Sequence, residues 1–269
     1  MPALKTMDHM GRLQPRQNTH KIYPVDGSLD LKPFTNDEPE ESRTITIKRH
    51  FKEAKASGAV VLCTYDSRVI KIYDPAFYRT AQDADADDEF NKEKAAYESI
   101  KGSLAHKHIA HGFRHGTLGK NDIPYIMINE VVGTPLADYN LEEETSKEDK
   151  EAIMRKFIEA DSEILFEARV NNYHVRPWNV IKTPDGDIRI IDFGQSTVIE
   201  VKGIAKAYQT PPFRWVRRAA QWADYGWFGS REEALEWMWK EWGLGRKEQV
   251  GKGPTSRTRG LDGRLTRLG

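Results

Sequence analysis

Three short β-rich runs separated by polar turns lie between Thr44 and Tyr73, and their spacing constrains the fold more than any other feature of the chain. Thr44-Ile45-Thr46-Ile47 alternates with period two. Ala59–Tyr65 and Arg68–Tyr73 flank the two-residue turn Asp66-Ser67, a connection that joins antiparallel neighbours. The expectation is an antiparallel meander. Ala81–Glu89 is acidic (Asp83, Asp85, Asp87, Asp88, Glu89) and suits a loop or the negative charge favoured at a helix start. Phe90 to Ile100 then reads as a helix with Phe90, Tyr97 and Ile100 near one face. Two further strands, Ile109–Leu118 and Tyr125–Val132, bracket the turn Gly119-Lys120-Asn121-Asp122. The first half is β-rich with one helix.

The second half changes character. Ser146–Ala168 carries Ile153, Phe157, Ala160, Ile164 and Leu165 at near-helical spacing, which predicts a long amphipathic helix. A loop, Val170–Asn179, leads into the strand Val180–Lys182, the turn Pro184-Asp185-Gly186-Asp187 and the return strand Ile188–Ile191. Ser230-Arg231-Glu232-Glu233 is a capping box, followed by Leu235, Met238, Trp239 and Trp242 on one face and a stop at Gly243. Six of the seven tryptophans lie between Trp215 and Trp242, as packing for a small C-terminal helical layer.

With 269 residues, 38% hydrophobic and 30% charged, the chain suits one large domain or two lobes. No stretch approaches the ~20 apolar residues of a membrane span, and the start, MPALKTMDHM, lacks the apolar region of a secretory signal. An intracellular protein of cytoplasm or nucleus is expected. Cys63 is the single cysteine, which excludes an intrachain disulfide and a cysteine-based zinc cluster. The zero net charge averages unlike parts: residues 246–269 hold seven Lys or Arg against Glu248 and Asp262, a net of +5 that leaves −5 for the remainder. That glycine-rich basic tail has too little apolar surface to offset the entropy of ordering and reads as disordered; specific nucleic-acid recognition is not expected of it. Residues 1–43 read as a loosely packed extension ending in an acidic run. His106, His108, His111 and His115 invite a metal reading, but strand alternation explains them and no carboxylate sits at a fitting offset.

Chemistry enters with Lys71, mid-strand in Val69-Ile70-Lys71-Ile72, where a lone buried ammonium is costly without a partner. Glu93 on the following helix can supply one. Asn179 and Asp192 bracket the tight hairpin, and Asp192 opens Asp192-Phe193-Gly194; their oxygens are suitable hard ligands for Mg²⁺ held against phosphates. In these motifs, V-I-K on a third strand, a helix Glu, R-P-x-N and D-F-G after a hairpin, residues 44–230 resemble the protein kinase superfamily, in the manner of short protein-kinase-like proteins of fungi.

The resemblance implies an α+β, protein-kinase-like two-lobed fold. Its antiparallel N-lobe (44–132) would carry one main helix, and its helical C-lobe (133–245) would be abbreviated. The cofactors implied are ATP and Mg²⁺. Lys71 would hold the α- and β-phosphates and pair with Glu93; backbone groups of Glu130 and Val132 would meet the adenine behind a gatekeeper, Asn129; Asn179 and Asp192 would bind Mg²⁺. Arg176 would stand in for the lysine two residues past the catalytic aspartate. Departures are equally specific. Five residues before Asn179, where the family has its catalytic aspartate, stands His174, which brings no negative charge. Only Gly58 precedes Lys71 in place of a G-x-G-x-x-G loop, and Thr210-Pro211-Pro212-Phe213 stands where A-P-E is usual. These features imply a pseudokinase or weakly active kinase. Alternatives are an active ATP-dependent phosphotransferase acting on protein Ser/Thr or a small hydroxyl compound, and a scaffold that binds no nucleotide.

Overall fold

The computed structural model describes residues 6–7, 13–14, 22–33, 43–51, 58–78, 86–139, 141, 144–199 and 211–242. The expected basic tail (246–269), the stop at Gly243, Thr210, the Lys55–Ser57 segment, the acidic residues Asp83 and Asp85 and most of residues 1–43 lie outside them. A two-residue ladder pairs β1 (Thr6–Met7) with β2 (Leu13–Gln14).

Six strands, β3 (Ser28–Pro33), β4 (Arg43–His50), β5 (Val60–Thr64), β6 (Arg68–Ile72), β7 (Arg114–Leu118) and β8 (Ile123–Asn129), form a closed antiparallel barrel in the order β3-β4-β5-β6-β8-β7. The expected meander is there, but the sheet it belongs to is not open. Leu29 and Leu31 of Ser28–Pro33 lie within the segment expected to be a loose extension, and they make that segment a barrel strand: β3 pairs with β4 on one side and β7 on the other. Closure removes both sheet edges. The interior is filled by alternate residues of the strands, among them Leu29, Leu31, Ile45, Ile47, Leu62, Ile70, Ile72, Tyr125 and Met127.

The same alternation turns Lys71 outward from the barrel, opposite Ile126 of β8. Over that face lies α1 (Ala86–Lys101), whose first turn carries Asp87, Asp88 and Glu89. It buries Glu89, Phe90, Glu93, Ala96, Tyr97 and Ile100, a stripe that repeats every three or four residues.

Helix α2 (Lys147–Glu167) begins at Ser146, whose Oγ accepts from the Asp149 amide at 3.1 Å, and buries Ile153, Phe157, Ala160, Ile164 and Leu165. Four short strands follow it, in two small antiparallel sheets. β10 (Val170–Asn172), inside a segment expected to be a loop, pairs with β13 (Ser196–Val198). β11 (Val180–Lys182) pairs with β12 (Ile188–Ile190) and with β9 (Thr134–Pro135). Gly186, at φ +82°, closes the β11–β12 turn in the left-handed region that a Cβ disfavours.

The chain splits into two compact units, residues 1–203 and 204–269; within the first, α1 packs on β8 and on β10 and β13. In the second unit, α3 (Pro211–Ala223) and α4 (Arg231–Glu241) pack together. Ser230 caps α4 by accepting from the Glu233 amide at 3.0 Å. Trp222 meets Trp227 with ring centroids 5.7 Å apart, and Phe228 meets Trp237 at 5.1 Å. Among the described residues no helix is long and apolar enough to cross a membrane.

Candidate functional site

Lys71 is the centre of a buried ionic cluster. Its Nζ lies 2.6 Å from Glu93 Oε2, 2.8 Å from Asp192 Oδ1 and 3.2 Å from Glu89 Oε1. Helix periodicity explains the first and third contacts: Glu89 and Glu93 are one turn apart on α1 and share the face laid over β6. Asp192 arrives from the chain leaving β12, where the Ile191 amide donates to Asn179 O at 2.9 Å. Its φ of +64° is tolerated better by Asp than by most non-glycine residues. Glu93 also accepts from Tyr73 Oη at 2.6 Å and from the Phe193 amide at 3.3 Å. Thus the D-F-G segment is tied to the same carboxylate that holds Lys71.

Three carboxylates face one ammonium, a surplus of negative charge in a region where Lys71, Glu89 and Glu93 are all under 10% exposed. Burial pushes the Glu93 carboxyl above its ordinary pKa, against the pull of Lys71. Burial acts the same way on Asp192, but the Lys71 ammonium outweighs it and holds that carboxyl below the ordinary value. For Lys71 the burial penalty is overcome by Asp192 and Glu93, so the amine stays charged well past its usual range. Oxygens of Glu89, Glu93 and Asp192 lie within 4.8 Å of one another, and carboxylate oxygens with an excess of negative charge are the donor set of a hard divalent cation. Lys71 Nζ already engages all three of these groups.

Asn179 joins the cluster. Its Nδ2 donates to Asp192 Oδ2 at 3.2 Å and to His174 O at 3.2 Å. Asn172, which sequence reasoning did not single out, donates from Nδ2 to Asp192 O at 3.1 Å and accepts from the His174 amide at 2.9 Å. It couples the loop bearing His174 to the backbone of Asp192. Burial, followed by the charge of Arg176, lowers the pKa of His174, which favours the neutral imidazole. Arg176 lays its guanidinium 5.3 Å from the Trp178 ring centroid, and its carbonyl accepts from the Asn179 amide at 2.8 Å.

The expected base-binding segment follows β8. Val132 is exposed, and the Glu130 amide donates to Ser67 O at 2.8 Å. The Glu130 carboxylate is held by Arg49 at 2.6 Å and accepts from Cys63 Sγ at 3.3 Å. Asn129, expected as the gatekeeper, does not share the face of Lys71. Lys71 opposes Ile126 and Val69 opposes Ile128, so it is Ile128 that shares the Lys71 face, whereas Asn129 is on the other face, with its side chain against Gly112. The four histidines disperse: His108 meets Glu163 at 2.9 Å, His115 meets Glu98 at 3.4 Å, and His106 and His111 face each other at 3.4 Å.

No family model matches the chain, and no curated protein matches it. Among solved structures, one titled as the high-resolution crystal structure of WbdD is similar, with a TM-score of 0.49 and 15% identity, over 90% of this chain and 59% of that one. The chain therefore spans less than two thirds of that structure's length.

Proposed function

We propose that the chain is a protein-kinase-like protein that binds ATP with Mg²⁺ at the Lys71 cluster and is impaired in phosphoryl transfer. The observation that carries this reading is the single ammonium of Lys71 bonded to both Glu93 on α1 and Asp192 after the hairpin, because phosphoryl transfer of this class requires both partners to be assembled. In it the barrel serves as the N-lobe and residues 133–199 as the retained part of the C-lobe. Lys71 would hold the α- and β-phosphates, with Glu93 fixing its direction. The Glu130 carbonyl and Val132 amide would meet the base. Asp192 and Asn179 Oδ1 would hold Mg²⁺, which supplies charge neutralisation for the phosphates when bound.

Impairment follows from His174. A neutral imidazole can take the proton of an incoming hydroxyl, yet it lacks the negative charge that a carboxylate sets beside the metal. Arg176 stacked on Trp178 offers a cation at the loop in place of a flexible lysine. A second reading, an active phosphotransferase using His174 as its base on a protein Ser/Thr or a small hydroxyl compound, follows from the place of that histidine five residues before Asn179. Radiolabel transfer from γ-labelled ATP separates the two. Impairment predicts trace transfer by the wild type and a gain on His174→Asp; robust wild-type transfer abolished by Asp192→Ala and by His174→Gln would establish the second reading instead.

A further inference from the structure

Glu89 is the partner of Lys71 that the nucleotide reading does not use. We propose that its carboxylate is a built-in competitor for phosphate: poised by Tyr78, it occupies the Lys71 ammonium in place of a nucleotide phosphate oxygen and must withdraw before that oxygen can bind. The proposal rests on the assignment of Lys71 to the α- and β-phosphates.

An ammonium has three donors and no acceptor. Lys71 gives hydrogen bonds to Glu93 at 2.6 Å and to Asp192 at 2.8 Å, and Glu89 Oε1 lies 3.2 Å from the same nitrogen. With three carboxylates on one cation, a phosphate oxygen reaches Nζ only by displacing one of them. Glu93 is held in place by Tyr73 Oη and the Phe193 amide, and Asp192 by Asn179 Nδ2 at 3.2 Å and the Gly194 amide at 3.4 Å. Glu89 makes the longest of the three Lys71 contacts, beyond the roughly 2.7–2.9 Å of strong charge-assisted bonds. Its other polar partner among the described residues is Tyr78 Oη, which donates to Oε2 at 2.9 Å. Glu89 is therefore the carboxylate that yields at least cost. At 4% exposure its charge opposes an incoming anion with little screening by water.

The place of Tyr78 follows from the chain leaving β6. Asp74 caps the single turn Pro75–Phe77 by accepting from the Ala76 amide at 2.9 Å, and it also accepts from Tyr23 Oη at 2.9 Å. Tyr78 ends that turn, its amide donating to Pro75 O at 3.2 Å. Its ring lies against Gly58, where a Cβ would stand 2.7 Å from Tyr78 Cγ. The side chain that poises Glu89 thus supports the backbone entering β5, the segment that stands where a phosphate-covering loop is usual.

The test is calorimetric titration of the full chain with ATP and, separately, with adenosine, both in the presence of Mg²⁺, for the wild type, Glu89→Gln and Tyr78→Phe. Competition predicts that Glu89→Gln tightens ATP binding about tenfold, the effect of one charge-assisted hydrogen bond. Adenosine brings no phosphate to Lys71 and should show no gain. Tyr78→Phe alters no charge and withdraws the donor that poises Glu89, so it should tighten ATP binding severalfold. ATP binding by the wild type that is unchanged or weaker in Glu89→Gln would overturn the competitor and leave the nucleotide reading standing. Equal gains for ATP and adenosine, or a gain confined to Glu89→Gln, would overturn it too, as general loosening or mere relief of charge. Failure of both ligands to bind the wild type and both variants would instead remove the nucleotide reading, and this proposal with it.

Discussion

Glu89 Oε1 lies 3.2 Å from Lys71 Nζ, one helical turn ahead of Glu93, so the ammonium is shared by two glutamates of one helix as well as by Asp192. The arrangement makes the two ends of the ion pairs unequal. Lys71→Met leaves two buried carboxylates, Glu89 and Glu93, and the partly buried Asp192 without their cation and should destabilise the fold by about 3–5 kcal/mol, the cost of orphaning a buried charge. Glu89→Gln removes one surplus charge, retains an acceptor for Tyr78 Oη, which donates to Glu89 at 2.9 Å, and should change stability by about 1 kcal/mol or less in either direction. Urea denaturation of the two variants checks this; equal losses would contradict the shared-ammonium account.

Gly194 is needed for close approach. A Cβ there would stand 2.7 Å from Glu89 Oε1 and 2.9 Å from its Cγ. Gly194→Ala should cost about 1–3 kcal/mol, as other overpacked sites do. In a Glu89→Ala background that cost should largely vanish, a non-additivity measurable by a double-mutant cycle.

Asn172 ties Asp192 O to the His174 loop. Asn172→Ala should lower stability by about 1–3 kcal/mol through the unsatisfied buried groups it leaves. It should also weaken Mg²⁺-dependent nucleotide binding more than binding without the metal, because the position of Asp192 is what it fixes. Equal weakening in the two titrations would assign Asn172 to stability alone.

Stability should fall on mild acidification. Burial lowers the pKa of His108, His111 and His115 below their ordinary 6.5. The unfolded chain therefore takes up protons that the native chain resists, and the native state loses stability as pH falls through about 6.5. Above about pH 7.5 these rings are neutral in both states and contribute no slope. A melting temperature flat or rising between about pH 7 and pH 5.5 would contradict this.

Local patterns were legible in the sequence where they specify themselves. The turn Pro184-Asp185-Gly186-Asp187 placed β11 and β12 within a residue, and the capping box at Ser230 marked the start of α4. Lys71, Glu93, Asn179 and Asp192 were found as separate residues and converge. What was missed depends on partners distant in the chain. Leu29 and Leu31 alternate as a strand should, but prolines and charges around them hid a segment that is ordered by pairing with β4 and β7. Glu89 was absorbed into an acidic run although it stands four residues before Glu93. Which of Ile128 and Asn129 shares the Lys71 face is set by the β6–β8 register, and Asn172 acquires its role only through the fold that brings it to Asp192.

Calorimetric titration of the full chain with ATP, with and without Mg²⁺, tests the central claim most directly. The assembled Lys71 cluster predicts saturable binding that tightens when Mg²⁺ is present, with the Mg²⁺ effect lost in Asp192→Asn. Absence of binding by the folded wild type, or binding indifferent both to Mg²⁺ and to Asp192→Asn, would contradict it and leave Lys71, Glu89 and Glu93 as a structural ion cluster.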